Sequence, residues 1–405
     1  MQQSTNKIKI AYLSVNDPLD KRSWSGTTYY IGQTLKRNVG EVHFLGPVPV
    51  PKWLDKLLRA ISKLIRILFK KEYTVKYSLL LSWYFARVLQ KKMRGQQYDL
   101  IVAPAASTEV AFFSSSTPII FISDTTFALI SNYYKNDFEQ ICALSRWEGN
   151  YIENRSLVKS AHLIYSSKWA AQSAVKDYFM PAEKITVMPL AANMDTRPAR
   201  AIIFDKQKNR TLTLLYLAVE WERKGGSIAF DTLIQLEKMG VQTRLIVCGC
   251  TPPSSFVHAS LEVIPFLNKN VAADHERFIQ ILSSVHFLLL PTRADCSLLV
   301  ACEANAYGVP AITTQTGGVP DIVVNDVNGY CLPYAAGGDA YASLIAEIFH
   351  NEPRYHQLIL SSRERFETEL NWDKWAERFK EMYQMHFSKK PSGYRKQLNG
   401  RSAVD

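Results

Sequence analysis

Short apolar runs rich in β-branched residues alternate with helical stretches along the chain, and this alternation constrains the fold more than any other feature. Strands that alternate with helices form parallel sheets, because each crossover needs a long connection. The alternation stops between Ala191 and Lys208 and then starts again. The sequence therefore predicts an α/β fold with two doubly wound, Rossmann-like domains. The predicted strands are Ile8–Val15, Val42–Leu45, Leu100–Ala103, Ile119–Ser123, Leu163–Ser166, Ile185–Met188, Leu212–Ala218, Thr243–Gly249, Leu261–Pro265, His286–Leu290 and Pro310–Thr314.

The 405 residues suit two domains of roughly 150–200 residues each. We predict an N-terminal domain over residues 1–195, a C-terminal domain over residues 205–370, and a flexible tail over residues 391–405. Open parallel sheets bind ligands beyond the carboxyl ends of their strands. We therefore expect a ligand cleft where the two domains face each other.

Composition indicates the environment of the chain. Apolar residues make up 47% and charged residues 21%, which is ordinary for a soluble globular protein. No apolar run approaches the ~18 residues that a membrane span needs, and the polar segment Met1–Lys7 has no signal-peptide pattern. Six cysteines lie in apolar settings without zinc or redox spacing. We therefore expect a cytoplasmic protein with reduced thiols.

The net charge of +11 favours a polyanionic partner. Much of the excess lies in a predicted amphipathic helix over residues 52–71, where cationic and apolar residues each recur every three or four positions. Such a helix either lies on an anionic membrane or packs on its own domain with a solvated basic face, and the sequence leaves both possibilities open. It lacks interleaved aromatic residues for base stacking, so nucleic acid is not expected as a partner. The cations are Lys52, Lys56, Arg59, Lys63, Arg66, Lys70 and Lys71.

The most specific motif contains two acidic residues with seven others between them. Asp295 follows a predicted strand, Glu303 lies on the next helix, and a Gly-Val-Pro turn, a strand and Gly317-Gly318 come after. The helix is predicted to begin near Ser297. Helix N-termini bind anions, so we expect its first free N–H groups to point into the cleft and hold a diphosphate. Those groups belong to Leu298, Leu299 and Val300.

This ordered series resembles the retaining glycosyltransferases of family 4, also called group 1, which have the GT-B fold. The resemblance implies that Asp295 contacts the donor sugar and that Glu303 accepts hydrogen bonds from two ribose hydroxyls. It also implies that a helix over about 372–390 crosses back to complete the first domain. Where the family prefers an aromatic residue and a glycine, this chain has Ser297 and Leu298. Glycine lets a backbone approach a ligand closely, so the donor pocket is expected to differ.

A second part of the resemblance follows the first strand of the second half. Lys224, before Gly225, matches a family lysine that clamps the donor diphosphate together with an arginine. The usual position of that arginine falls on Val219 here, and Arg223 is the candidate substitute. Fixed cations of this kind stabilise negative charge on the leaving diphosphate in the transition state.

In the first half, the resemblance points to two loops. Gly26 and Thr27 stand where the family has a glycine-bearing loop whose backbone N–H groups approach the diphosphate and the acceptor. Asp124 follows a strand at a place where the family commonly has a histidine that faces the sugar. We therefore take Asp124 as the candidate polar contact or base, with a structural capping role as the alternative.

The implied function is transfer of a sugar from a nucleotide-diphosphate sugar to a glycan or lipid-linked glycan, with retention of the anomeric configuration. No Asp-x-Asp motif and no His/Cys cluster with metal spacing occurs in the sequence. We therefore expect transfer without a metal or other cofactor, in the cytoplasm or at the inner face of the plasma membrane. Two alternatives stay open, namely a nucleotide-sugar epimerase of the same fold and a non-catalytic subunit that binds a membrane or a partner enzyme.

Overall fold

The computed structural model describes residues 7–134, 138–203 and 211–387. Within them, the strands form two parallel six-stranded sheets, with the orders β2-β1-β3-β4-β5-β6 and β12-β11-β10-β7-β8-β9. All eleven predicted strands are present, and the α/β class with two doubly wound domains is confirmed. The strands are β1 (Ile8–Tyr12), β2 (Gly40–Phe44), β3 (Leu100–Pro104), β4 (Ile119–Ser123), β5 (His162–Tyr165), β6 (Ile185–Val187), β7 (Leu212–Leu217), β8 (Thr243–Cys248), β9 (Leu261–Ile264), β10 (Phe287–Leu290), β11 (Ala311–Thr314) and β12 (Gly329–Leu332).

Strand β12 was not among the predicted strands. It pairs in parallel with β11 at the edge of the second sheet. Its four residues, Gly-Tyr-Cys-Leu, include no β-branched side chain and end before a proline. A run this short does not reveal a strand by periodicity, so only its pairing with a neighbouring strand defines it.

The connections between strands are mostly helical. Helix α2 matches the predicted amphipathic helix but ends before Lys70, which adopts a left-handed conformation with φ 52°. The helices are α1 (Thr27–Asn38), α2 (Lys52–Phe69), α3 (Leu79–Met93), α4 (Ser107–Val110), α5 (Phe127–Tyr133), α6 (Ala143–Lys159), α7 (Lys168–Tyr178), α8 (Gly226–Lys238), α9 (Ala272–Ser284), α10 (Leu299–Ala306), α11 (Val319–Ile322), α12 (Gly338–His350), α13 (Glu352–Thr368) and α14 (Trp372–Phe387).

Successive residues of a strand point to opposite faces of the first sheet, which is covered on both sides. Ile10 and Tyr12 lie in one core, whereas Ala11 and Leu13 lie in the other. The first of these cores also contains Trp375 and other residues of α14. The last described helix therefore packs on the N-terminal sheet, although it follows the C-terminal domain in sequence.

The proposed domain limits fall partly outside the described residues. The predicted linker is described up to residue 203, where Ile203 is buried in the core of the second domain. The rest of that linker, residues 388–390 of the predicted last helix and the predicted tail 391–405 lie outside the described residues. The limits 1–195 and 205–370 stay predictions.

Loops at the carboxyl ends of the two sheets contact each other. The Tyr133 hydroxyl lies 2.7 Å from Thr316 Oγ1, after β11, and the Ser166 hydroxyl lies 2.6 Å from Ser297 Oγ, after β10. These contacts place the segment that follows β10 between the two domains. That segment carries Asp295, and the candidate site is built around it.

Candidate active site

The candidate site begins with an ion pair between two adjacent strand ends. Strands β7 and β10 are neighbours in the second sheet, so the loops at their carboxyl ends meet. The Lys224 Nζ atom donates a hydrogen bond to Asp295 Oδ2, and both side chains are largely buried. A buried carboxylate needs a cationic partner to offset the loss of hydration. The fold thus brings together Lys224, for which the family resemblance implies a contact with the diphosphate, and Asp295, for which it implies a contact with the donor sugar.

Arg223 stands beside this pair and is held from three sides. Its guanidinium group donates to the Glu220 carboxylate and, over 2.9 Å, to the carbonyl oxygen of Ala294. It also lies 5.1 Å from the ring centroid of Tyr134 in the first domain, within the range of a cation–π contact. Arg223 is therefore a fixed cation near Asp295. This position is the one required of a residue that replaces the family arginine expected at Val219.

The helix after Asp295 begins later than predicted. Helix α10 starts at Leu299 rather than near Ser297, and the Leu299 N–H donates to Ser297 O over 2.8 Å. The prediction of three free N–H groups was therefore wrong for Leu299, because a tight turn uses that donor. Within the described residues, the N–H groups of Leu298 and Val300 have no hydrogen-bond partner. The Leu298 side chain is buried in the core of the second domain.

Gly317 and Gly318 lie against the backbone of the Asp295 loop. A Cβ atom at Gly317 would come 2.2 Å from Asp295 O, and one at Gly318 would come 2.0 Å from Cys296 O. Gly317 also has φ +52°, which L-residues rarely adopt. The two glycines therefore allow the loop after β11 to pack against the backbone of Asp295 and Cys296, and this close packing is their observed role.

Replacing Gly317 by alanine is expected to destabilise the fold and displace Asp295. Gly240 provides a matched control, since it has φ +79° but no atom within 4 Å of an added Cβ. Gly240→Ala should lower the free energy of unfolding by about 1–2 kcal/mol, because alanine is strained in a left-handed backbone. Gly317→Ala should lower it clearly more, because its Cβ atom would also clash with Asp295 O. Chemical denaturation of both variants measures this, and equal losses of stability would contradict the close approach.

Two tyrosines of the first domain, which the sequence interpretation missed, complete this part of the site. The Tyr133 hydroxyl accepts a hydrogen bond from the Asp295 N–H over 3.0 Å, and Tyr134 Oη lies 3.3 Å from Cys296 Sγ. Desolvation raises the pKa of Tyr133 to about 12, so this hydroxyl stays neutral. Both residues lie at the end of α5, which follows β4 in the chain. No local pattern marks them, because their partners Asp295 and Cys296 belong to the other half of the sequence.

Asp124 also follows β4 and lies half-buried near Asp295. One carboxylate oxygen accepts a hydrogen bond from Trp24 Nε1 over 3.1 Å. The pKa of Asp124 is raised to about 6, mainly by burial and to a smaller extent by the charge of Asp295, while the Trp24 hydrogen bond opposes the rise. Such a carboxyl group changes its charge near neutral pH, which suits a residue that exchanges a proton.

The Gly26–Thr27 loop supports the first domain at the same edge. Gly26 has φ +90° and precedes α1. The Thr27 N–H donates to Trp24 O, and the fully buried Thr27 hydroxyl lies 3.4 Å from Asn193 Nδ2. Both polar groups of Thr27 are thus used inside the protein, and its contact with a ligand stays a prediction.

Glu303 lies in a separate small cavity farther along α10. Both of its carboxylate oxygens accept hydrogen bonds from Lys269 Nζ, over 2.8 and 2.9 Å. Tyr30 and Asp195 of the first half and His275 of the second also line this cavity. The sequence interpretation missed Lys269, although the residue follows the carboxyl end of β9. The Glu303 carboxylate, which was predicted to bind ribose, is thus paired with the Lys269 ammonium group in this structure.

Among residues 7–134, 138–203 and 211–387, no three His, Cys, Asp or Glu side chains are placed to hold a metal ion. No helix in that part of the chain is long and apolar enough to cross a membrane.

Solved structures with a similar fold indicate the class of protein to which this chain belongs. The structure superposes on sucrose-phosphate synthase of Thermosynechococcus elongatus with a TM-score of 0.66 and 16% identity, covering 95% of this chain and 100% of that one. The lipopolysaccharide outer core galactosyltransferase WaaB gives 0.61 with 14% identity, over 95% and 100% of the two chains. HepE of Anabaena, solved in complex with UDP and glucose, gives 0.61 with 15% identity, over 93% and 100%. The chain therefore has the GT-B fold.

The sequence comparisons narrow this class. Residues 202–365 match the family described as Glycosyl transferases group 1. This segment is therefore a group 1 glycosyltransferase domain, and the resemblance drawn from the motifs is confirmed for these residues at the level of group 1.

Curated relatives agree with this family over part of their length. The chain is 24% identical over 216 residues to the amylovoran biosynthesis glycosyltransferase AmsK of Erwinia amylovora, covering 47% of this chain and 48% of that protein. It is 23% identical over 265 residues to the D-inositol 3-phosphate glycosyltransferase of Xylanimonas cellulosilytica, covering 59% and 60%. The chain thus spans about half the length of these two relatives.

Proposed function

We propose that this chain is a retaining glycosyltransferase that moves a sugar from a nucleotide-diphosphate sugar to a glycan or lipid-linked glycan without a metal ion. The observation that carries the proposal is the buried pair of Lys224 and Asp295 in a loop that faces the first domain. Lys224 and Arg223 would bind the diphosphate, Asp295 the donor sugar and Glu303 the ribose. The free N–H groups of Leu298 and Val300 would add donors to a phosphate oxygen.

In the proposed reaction, negative charge develops on the leaving diphosphate. As the bond between the anomeric carbon and the diphosphate oxygen breaks, negative charge grows on that oxygen. Lys224 and Arg223 are held in place before the reaction, so they stabilise this charge without reorganisation. The acceptor oxygen attacks the anomeric carbon from the same face, and its proton passes to the leaving phosphate oxygen. This route needs no protein nucleophile.

A direct assay tests the proposal. A thermal-shift screen with UDP-, GDP-, ADP- and dTDP-sugars identifies the donor, because a bound donor raises the unfolding temperature. Transfer to acceptor is then measured with that donor, and NMR of the product reports its anomeric configuration. We expect a glycoside with the configuration of the donor and unchanged rates in EDTA. Epimerised donor without glycoside, or no donor binding at all, would contradict the proposal.

The acceptor is also proposed at the level of its class. The names of the relatives include amylovoran biosynthesis and D-inositol 3-phosphate, which are properties of those proteins. For this chain, they support an acceptor that carries hydroxyl groups. We place the reaction in the cytoplasm or at the inner face of the plasma membrane. Assays with lipid-linked glycans and with free glycans distinguish the two acceptor types.

The raised pKa of Asp124 predicts a pH-dependent stability. Its folded-state pKa of about 6 lies above the ordinary value of 3.8, so the folded chain binds more protons than the unfolded chain between these pH values. Stability is therefore lost as the pH rises through this window. Asp124→Asn should unfold at a higher temperature than the wild type above pH 7, and the difference should vanish near pH 4. A constant difference in melting temperature from pH 4 to 8 would contradict the shifted pKa.

A further inference from the structure

Helix α2 is anchored to the first domain by only part of its surface. Leu54 and Leu58 are buried, and Ile61 and Ile65 pack partly against the same core. Toward its C-terminus the helix exposes large apolar side chains. Leu64, Ile67, Leu68 and Phe69 are 56%, 66%, 63% and 66% exposed, respectively. Of the two possibilities that the sequence left open, packing on its own domain therefore holds only for the side of the helix that carries Leu54, Leu58, Ile61 and Ile65.

A second exposed apolar group adjoins the end of α2. The segment after α2 pairs with the start of α6, since Glu72 O accepts from the Cys142 N–H over 2.8 Å and the Thr74 N–H donates to Ser145 Oγ over 2.8 Å. In the first turns of α6, Leu144 and Trp147 are 46% and 56% exposed. The ends of both helices therefore expose apolar side chains at one edge of the domain. We call this edge the α2 surface, formed by Leu64, Ile67, Leu68, Phe69, Leu144 and Trp147.

The charges on α2 and at its end are almost all positive. Seven basic residues and one acidic residue lie between positions 52 and 71. The acidic residue, Asp55, is already paired with Arg59 over 2.8 Å. Lys63 and Arg66 near the end of the helix, and Lys70 directly after it, are exposed. Apolar side chains that insert among acyl chains, bordered by cations at headgroup level, are the features of a helix that binds an anionic bilayer.

We infer that the α2 surface docks this chain on an anionic lipid bilayer. A second copy of the chain fits poorly, because pairing two α2 surfaces would bring their cations together. The acidic residue of α2, Asp55, is already paired with Arg59, so the helix itself has no free carboxylate for a basic partner. The inference does not depend on the proposed transfer reaction. If the acceptor is lipid-linked, docking through the first domain would bring the cleft to its substrate.

Co-sedimentation with vesicles tests this inference on the full chain. Vesicles of equal parts phosphatidylglycerol and phosphatidylethanolamine are compared with vesicles of phosphatidylcholine alone. We expect binding to the anionic vesicles that weakens with salt. Ile67→Gln/Leu68→Gln should lower the partition coefficient at least about tenfold, because two inserted side chains are lost. Lys63→Glu/Arg66→Glu should lower it at least as much.

Matched variants control for exposure and net charge. Val257→Gln/Met385→Gln changes two apolar residues that are 78% and 72% exposed elsewhere, and Lys238→Glu/Lys380→Glu makes the same change in net charge. Both controls should bind like the wild type. Absence of binding to anionic vesicles, or equal losses in test and control variants, would overturn the inference. A dimer in sedimentation equilibrium that Ile67→Gln/Leu68→Gln abolishes would overturn it in favour of a second copy.

Discussion

Lys224→Ala is expected to lower kcat by at least about a hundredfold and to raise KM much less. The removal of one preorganised donor from a site that stabilises developing charge has an effect of this size. Lys224 is held against Asp295 by a hydrogen bond in a largely buried pair, which fixes the position of its charge. Steady-state kinetics with the identified donor separates the two parameters. An effect confined to KM would assign Lys224 to ground-state binding.

A loss of folding could imitate this result, because the variant leaves Asp295 buried without its partner. The double variant Lys224→Ala/Asp295→Asn removes the unpaired charge and should recover thermal stability without recovering kcat. Lys224→Arg keeps the cation and tests the geometry. Recovery of activity in the double variant would show that Lys224 serves the fold rather than the reaction.

Glu303→Gln is expected to weaken donor binding or turnover at least about tenfold. A neutral amide accepts ribose hydroxyls less strongly than a carboxylate, since hydrogen bonds to ionised groups are roughly twice as strong. The wild-type carboxylate must exchange its two bonds with Lys269 for bonds to the ligand. Calorimetry with the nucleoside diphosphate measures the affinity without the transfer step.

Glu153→Gln is a matched control for this substitution. Glu153 and Glu303 are both 4% exposed, but Glu153 lies on α6, outside the cleft residues described above. The control should leave donor affinity unchanged. Affinity and turnover like those of the wild type in Glu303→Gln would remove Glu303 from the ribose site.

The sequence predicted the fold class well because the relevant signals are local. Each strand is a short apolar run, and the ordered motif around Asp295 and Glu303 lies within one strand, loop and helix. Lys224 was found for the same reason, since it stands directly before the glycine of a strand-to-helix turn. The missed strand β12 and the late start of α10 are local errors. The first has too few residues for a pattern, and the second comes from a turn that uses the Leu299 N–H.

Local patterns in the sequence were enough to predict the two-domain α/β class, the family resemblance and the charged residues near the cleft. Which of these residues meet depends on the tertiary structure. Lys269 is 34 positions from Glu303, and Tyr133 is 162 positions from Asp295. The tertiary packing also leaves an apolar face uncovered in the second half of α2. Strands and motifs depend on neighbours in sequence, whereas ion pairs, raised pKa values and exposed faces depend on the packing of distant segments.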